Sequence, residues 1–465
     1  MLKKLLYLSV ILITHNLVYA QDTIPPDLNI ADQKFVIRNI RIEGNKKTKG
    51  YIIEREIPFK TGDAFTLDEL VKKFDTARMQ LTNTLLFHNS FLAMDSLKND
   101  SIDVLVSVKE RWYIFPIPYL QPVDRNFAEW RNQGLGLDRL KYGLKFTYNN
   151  FSGRNDKLKV WLITGYTKQF QIQYEQPYSD PTLKHGFKVG FAYAHNAEVN
   201  YMTDGNKLQF VDTTPFGKKK WYAHIDYLYR PGLRTYHSLR LSINGEHIDD
   251  EIFALNPNYL NGEKKVIYPE LKYNFKFYGV DYIYYPLKGW LVEGNFIKRG
   301  ISSPVNMWQI DGRATYTQPL KNKFYLQWQG YFLGRLPNEQ PYYNVGMMGF
   351  GDFYLRGLEN YVVDGLAGAL SRQTAIRQIV EFSIPNLLKK KTIERVPFRI
   401  FARVYGDLGY GYNKVNINNL LNNKLLYTTG VGLDITTFYD FVFRLDYNIN
   451  QLGQKGLFLH VRNDF

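Results

Sequence analysis

Side chains that do covalent chemistry are missing from the patterns enzymes use. The 465-residue chain has no cysteine, which removes disulfides, thiolate metal sites and cysteine nucleophiles together. It contains no Gly-x-Ser-x-Gly elbow, no His-Glu-x-x-His pair and no phosphate-binding loop. Gly406-Asp407-Leu408-Gly409-Tyr410-Gly411 has the glycines of a dinucleotide turn, but no helical segment follows it to receive a pyrophosphate. His247, Asp249, Asp250 and Glu251 form an acidic cluster that suits a hard cation, although solvated loop carboxylates are the simpler account. We therefore expect no catalytic residue, no cofactor and no resident metal: not an enzyme. Ion-pair chemistry remains, with Arg356 in a long loop and the acids Glu381 and Asp407 on segments that follow it. A guanidinium offers a fork of donors that two carboxylate oxygens can fill.

The elements that must position these groups fall into four stretches. Residues 1–20 read as a secretory signal peptide: Lys3 and Lys4, an apolar stretch Leu5 to Ile13, and Val18-Tyr19-Ala20 before the cut. Residues 21–32 form a linker with Pro25 and Pro26. Residues 33–112 read as a compact α+β unit. A strand runs from Phe35 to Gly44, and a short helix is predicted near 49–56. Thr66 and Glu69 make a capping box that opens an amphipathic helix with Leu67, Leu70, Val71, Phe74, Leu81 and Leu85 on one face. A strand near 88–97 precedes a second, half-buried one in which Ile102, Val104, Val106 and Val108 alternate with polar residues. The order is β-α-α-β-β, one sheet with two helices on one face.

From residue 113 to 465 the period changes to two. Phe170, Ile172 and Tyr174 alternate with Gln171, Gln173 and Glu175; Phe441, Phe443, Leu445, Tyr447 and Ile449 alternate with Arg444, Asp446 and Asn448. Aromatic residues make up 16% of the chain, and of its net charge of +15 a net +13 lies beyond residue 112, spread over many short segments. A soluble sandwich also alternates. One face rich in aromatic and aliphatic residues and another in Lys, Arg, Gln and Asn, sustained over some 350 residues, instead point to a transmembrane β-barrel with a wet interior. Lipid permits only helices or a closed sheet, because unpaired backbone groups are costly there. After residue 20 no apolar run is long enough for a membrane helix.

Sixteen strands are predicted, the first at 140–149 after a connector 113–139, the fifth at 205–212 and the last at 457–465. With that count the short turns 167–168, 203–204, 231–235, 285–288, 318–322, 385–396 and 437–440 share one rim. The long connections 248–265, 336–371 and 410–424 share the other, as in outer-membrane barrels. Both chain ends and the α+β unit then lie on the short-turn side.

These residues resemble a known family. The β-α-α-β-β unit is similar to a POTRA domain, and the whole mature chain resembles the BamA- and TamA-like superfamily of outer-membrane insertases and polypeptide transporters, with a bacterial surface antigen barrel, here with a single POTRA domain. The most specific match is Gly349-Phe350-Gly351-Asp352-Phe353-Tyr354-Leu355-Arg356-Gly357-Leu358, where Leu355 and Leu358 depart from the commonest residues; Val380 to Pro385 and Tyr405 to Gly409 support it. The fold class implied is an all-β, sixteen-stranded transmembrane barrel with one small N-terminal α+β domain. On the residues alone, a solvated loop arginine and two solvated lumen acids would be the plainer account. The resemblance implies instead that the loop carrying Gly349, Gly351, Leu355, Arg356 and Gly357 folds into the barrel, and Glu381 and Asp407 are the expected wall partners.

The resemblance further implies an outer-membrane protein of a Gram-negative-type bacterium with its POTRA domain in the periplasm. It would assemble, insert or translocate client polypeptides, outer-membrane or secreted, without nucleic acid. Clients would bind by β-augmentation, the best candidate edge being the strand near 88–97. A lateral seam between 140–149 and 457–465, through Tyr142, Leu144, Leu459 and Phe465, would open. Accessory periplasmic proteins or lipoproteins are conceivable partners. The alternative is a passive porin-like channel with a periplasmic accessory domain.

Overall fold

The computed structural model describes residues 33–122, 140–213, 216–385, 395–414 and 419–462; the expected signal peptide, linker and C-terminal Phe465 lie outside these described residues. The N-terminal unit has β1 (Phe35–Glu43), α1 (Gly50–Glu54), β2 (Ala64–Phe65), α2 (Leu67–Asn83), β3 (Phe87–Lys98) and β4 (Ser101–Glu110). Thr66 accepts from the Glu69 N–H while the Glu69 side chain accepts from the Thr66 N–H, so the capping box opens α2 as expected. The sheet order is β2-β1-β4-β3, with β1 parallel to β4 and β3 antiparallel at the edge. Ile102, Val104, Val106 and Val108 are buried against Ile52, Ile53, Leu70, Ala77 and Leu81 of the helices, which is where their two-residue period pointed.

The remaining chain forms one sixteen-stranded antiparallel sheet, from Ile114–Pro122 to Lys455–Arg462. Its number of strands matches the expected count, but one expected member falls out and one segment expected as connector comes in. Residues 205–212 are not in the barrel: Glu198–Asp204 and Lys207–Asp212 pair only with each other, as a hairpin above the rim. Conversely, Ile114–Pro122 is the first barrel strand and pairs with Leu140–Asn149. Pro116, Pro118 and Pro122 disguise it, because proline is barred from strand interiors and tolerated only at a sheet edge. That edge is where the strand sits.

The two errors offset each other, so the rim assignment is inverted only for the early turns. The connections around 166 and 203–206 lie on the long-loop rim, not the short-turn rim expected for 167–168 and 203–204. From 231 onward the assignment holds, because both miscounts precede it. Contacts with the N-terminal unit identify its rim. The Lys49 N–H donates to the Gly153 carbonyl at 2.9 Å, and Arg55 Nε donates to Leu183 O at 2.7 Å. Asn83 Nδ2 donates to Val280 O at 3.2 Å, and Arg111 pairs with Asp440 at 2.6 Å. Glu56 and Arg230, both buried, join domain to barrel through a bond of 2.7 Å from Arg230 Nη2 and a second from Nη1.

The charge distribution follows from the alternation. Leu239, Leu241 and Ile243 face outward and exposed, while Arg240 turns inward to Asp226 at 2.8 Å. Inside, Arg403 lies 2.7 Å from both Asp434 and Asp446, and Arg299 lies 2.8 Å from Glu270. Basic side chains thus line the barrel interior, where acids from neighbouring strands pair with them. The acidic cluster has structural work: Asp249 caps the helix Asp250–Leu255 and Asp250 pairs with Lys264 at 2.8 Å.

At the junction, His88 packs edge-on to Tyr439 with ring centroids 5.0 Å apart. Burial, assisted by the charges of Arg111 and Lys109, pulls its imidazole down to about 4. The unfolded chain protonates near pH ~6.5, so the contribution of neutral His88 is complete above that pH and declines as pH falls toward 4. Thermal unfolding of the full chain in detergent should therefore show a lower midpoint at pH 5 than at pH 7.5. His88→Gln should flatten that difference; an equal pH dependence in both proteins would refute the assignment.

Candidate functional site: a loop arginine docked in the barrel

Between the strands Phe324–Leu336 and Ala367–Pro385 the chain makes its longest described excursion. It is not a free loop. Gly346–Met348 pairs with Val363–Asp364, and Met347, Met348, Leu355 and Leu358 join Leu370, Leu421 and Leu426 in a buried cluster. The hairpin above the rim holds it from outside: Asn206 donates to Val362 O at 2.9 Å and accepts from the Leu421 N–H at 2.9 Å.

Two glycines permit the path. Gly349 has φ +90°, and a Cβ there would stand 2.5 Å from the Tyr361 carbonyl oxygen. Gly357, at φ +91°, would put a Cβ 2.9 Å from Asn448 on the barrel wall. Left-handed backbone and close approach both select glycine. Gly351 also has positive φ.

The segment delivers Arg356, 6% exposed, to Asp407, 1% exposed. Nε donates to Asp407 Oδ2 at 2.9 Å, and Nη2 donates to Oδ1. The backbone N–H of Arg356 donates to Oδ2 at 3.0 Å. Nη1 donates to Thr374 Oγ1 at 3.1 Å, and the guanidinium lies 3.8 Å from the Tyr405 ring centroid. One carboxylate therefore takes the fork and one aromatic face takes the plane. Arg372 approaches the same carboxylate at 3.9 Å and donates to Tyr354 O, so a second cation supports the loop backbone.

Glu381 is not part of this cluster. Its side chain has the expected parity, because a bulge between Gln378 and Val380 resets the phase of the strand. It sits opposite Arg399, however, while Arg372 sits opposite Asp407. Eight residues separate Arg399 from Asp407, about 26 Å along a strand. Glu381 is exposed near the rim that faces the N-terminal unit and accepts from Gln378 Nε2 at 2.8 Å. Parity says which face a residue uses and nothing about height along the barrel, and height excluded it. Thr374, Arg372 and Tyr405 complete the cluster; all three share the lumen parity of Asp407, and register is the added information that brings them to its level.

The expected seam also changes. Tyr142 and Leu144 face outward and exposed, but they lie on the second strand, paired on both sides. Leu459 is on the last strand as expected. The strand facing it across the seam is Ile114–Pro122, and among the described residues no ladder joins the two. The docked loop reaches this last hairpin: Asn450 donates to Gly357 O at 2.8 Å, and Glu359 lies 3.5 Å from His460.

Asp407→Asn removes the charge that compensates a buried guanidinium and should destabilise the barrel by about 3–5 kcal/mol. It would appear as loss of the heat-modifiable folded band at a lower temperature in a semi-native gel. Arg356→Lys should not restore it, since an ammonium cannot supply the planar fork. Glu381→Gln should stay within about 0.5 kcal/mol of the parent; a large effect there would contradict the placement.

Residues 35–111 match the POTRA family model, described as surface antigen variable number repeat. No curated protein matches the chain in sequence. Among solved structures, CdiB from Escherichia coli is similar over 92% of this chain and 75% of its own, at 11% identity and a TM-score of 0.54. BamA from Haemophilus ducreyi lacking POTRA domains 1-3 is similar over 92% of this chain and 84% of its own, at 14% identity and a TM-score of 0.50. At these identities the likeness is one of fold. Residues 35–111 are a POTRA domain, and with the sixteen-stranded barrel that follows they give the described residues a BamA-like architecture with one POTRA domain.

Proposed function

We propose that this chain resides in a bacterial outer membrane with its POTRA domain in the periplasm, and that it inserts or translocates client polypeptides there. The observation that carries the proposal is the sheet itself. Sixteen strands pair in unbroken sequence while the two end strands, Ile114–Pro122 and Lys455–Arg462, form no ladder with each other among the described residues. In lipid, open backbone edges are costly, and an incoming strand that pairs with them lowers that cost. No nucleotide is required, because the client's own folding supplies the free energy.

The POTRA domain supports the same function. β3 is the edge of its sheet, and Phe91, Met94 and Leu97 on it are 50–61% exposed. An extended client can add to that edge by β-augmentation, main-chain bonds giving affinity and the apolar side chains giving preference. Phe91→Ser with Met94→Ser should weaken capture of an unfolded outer-membrane protein by the full chain several-fold, measured by cross-linking, with unchanged barrel heat-modifiability. Unchanged capture would remove β3 from the pathway.

The competing proposal, a passive channel, fits less well with the buried Arg356 loop. Depletion followed by outer-membrane proteomics tests the assembly role: specific proteins should vanish from the membrane. An unaltered outer-membrane proteome, together with steady single-channel conductance from the parent protein and no change in Arg356→Ala, would favour the channel.

A further inference from the structure

The outer face of the barrel is not uniform at the rim opposite the N-terminal unit. Lys168, His195, Lys219, His247 and Lys265 share one rung of the sheet. Lys168 stands opposite His195, His195 opposite Lys219, Lys219 opposite His247 and His247 opposite Lys265. Each has the outward parity of its strand, set by the exposed Phe170, Tyr193, Tyr227, Leu241 and Ile267. With strands about 4.8 Å apart, the rung runs about 19 Å across five neighbours. Phe216 gathers its middle: Lys219 Nζ lies 3.6 Å from the ring centroid, and the His195 and His247 rings are each 5.5 Å from it. The inward neighbours Lys218 and Lys220 meet Glu246 at 3.2 Å. Among the described residues, however, no acid takes an outward position on these five strands or on Gly289–Arg299 beside them. The far wall differs, for its outward residues at this rim are Tyr410, Tyr412, Leu425 and Tyr427.

Below the rung the wall is first aromatic and then hollow. Phe170, Tyr193 and Trp221 form the next outward rung, an aromatic girdle of the kind that marks a membrane interface. The Trp221 indole lies over Gly245, where a Cβ would stand 2.2 Å from Nε1. Further toward the membrane centre, Ala223, Ile225, Leu241, Ile243, Leu271 and Ile301 line a groove of about 590 Å³, within the size range of ligand sites. Lys298 stands at its edge, with Nζ 4.7 Å from the Trp308 ring centroid.

We infer that this wall binds an anionic lipid of the leaflet opposite the N-terminal unit, a lipid with two or more phosphates on its headgroup. The phosphates meet the lysines of the rung, and one acyl chain fills the groove. A lone lysine at a rim merely extends its ammonium to the interface. A row of cations without acids repels itself, and a polyanion relieves that repulsion. A zwitterionic headgroup brings its own ammonium and relieves little of it. A free phosphate matches the charge but leaves the groove unfilled, so charge and shape together select a lipid. The inference rests on the membrane residence and orientation proposed above and is independent of how clients are handled.

The full chain is embedded in phosphatidylcholine vesicles containing a minor fraction of diphosphorylated lipid A, then extracted into a neutral detergent. Lipid bound per chain is measured by native mass spectrometry across a titration. The parent should retain lipid A in preference to phosphatidylcholine. Lys168→Gln, Lys219→Gln and Lys265→Gln combined should weaken retention on the order of a hundredfold, about fivefold for each lysine near an anionic surface. The corresponding triple arginine variant should retain the lipid. Lys288→Gln, Lys321→Gln and Lys323→Gln combined, which removes three exposed charges at the other rim, should change nothing. Ala223→Phe should fill the groove and weaken retention several-fold with the rung intact. Equal retention of phosphatidylcholine, equal losses in the two glutamine triples, parent-like retention in the first of them, or displacement by equimolar inorganic pyrophosphate would each overturn the inference. A chain that does not embed in the vesicles would overturn the membrane residence with it. Selective retention with an unaltered proteome on depletion would uphold the lipid site and reject the assembly role.

Discussion

A single buried guanidinium organises the far half of the barrel. Arg356 would be prohibitively costly inside the lumen without Asp407, and its plane also needs Tyr405 and its remaining donor needs Thr374. Those partners come from two adjacent strands, so the loop can dock only when Ala367–Pro385 and Arg395–Tyr412 are paired in the observed register. A buried ion pair adds little net stability compared with an apolar pair of the same shape. Its contribution is specificity: a one-residue slip would turn Asp407 into lipid and leave the arginine alone. The glycines on either side allow the approach, and the aliphatic cluster around Leu355 and Leu358 supplies the apolar burial.

From this pair the remaining arrangement can be followed outward. The docked loop fills the lumen from the long-loop side and contacts the final hairpin through Asn450 and His460. On the opposite rim the POTRA domain is tied to several turns, among them by the buried Glu56–Arg230 pair and by Arg111–Asp440. The barrel wall is thus braced from inside and from below, while one vertical line, between first and last strands, lacks a backbone ladder among the described residues.

Much of the fold was legible because alternation and capping are local. The capping box at Thr66 and Glu69, the buried valines of β4 and the lipid-facing rows all follow from spacing alone. The barrel strand at Ile114–Pro122 was not legible, since three prolines argue against a strand unless one knows it lies at an edge. Residues 205–212 misled for the opposite reason: they do form a strand, but it serves a two-stranded hairpin outside the barrel. At the candidate site, Arg356 and Asp407 were found through a motif and a parity, and Glu381 shares that parity yet stands about 26 Å away.

The sequence by itself determined the period of each segment, the sign and face of its charges, the lack of thiol chemistry and the glycines around Arg356. Only the tertiary structure decided which strand is first, which acid meets the arginine and which segment leaves the barrel. The physical reason is that hydrophobic alternation has a period of two and repeats along every strand. It reports a face but carries no information on height or neighbour. Those are set by long-range backbone pairing, where register, one bulge and three prolines make the choices.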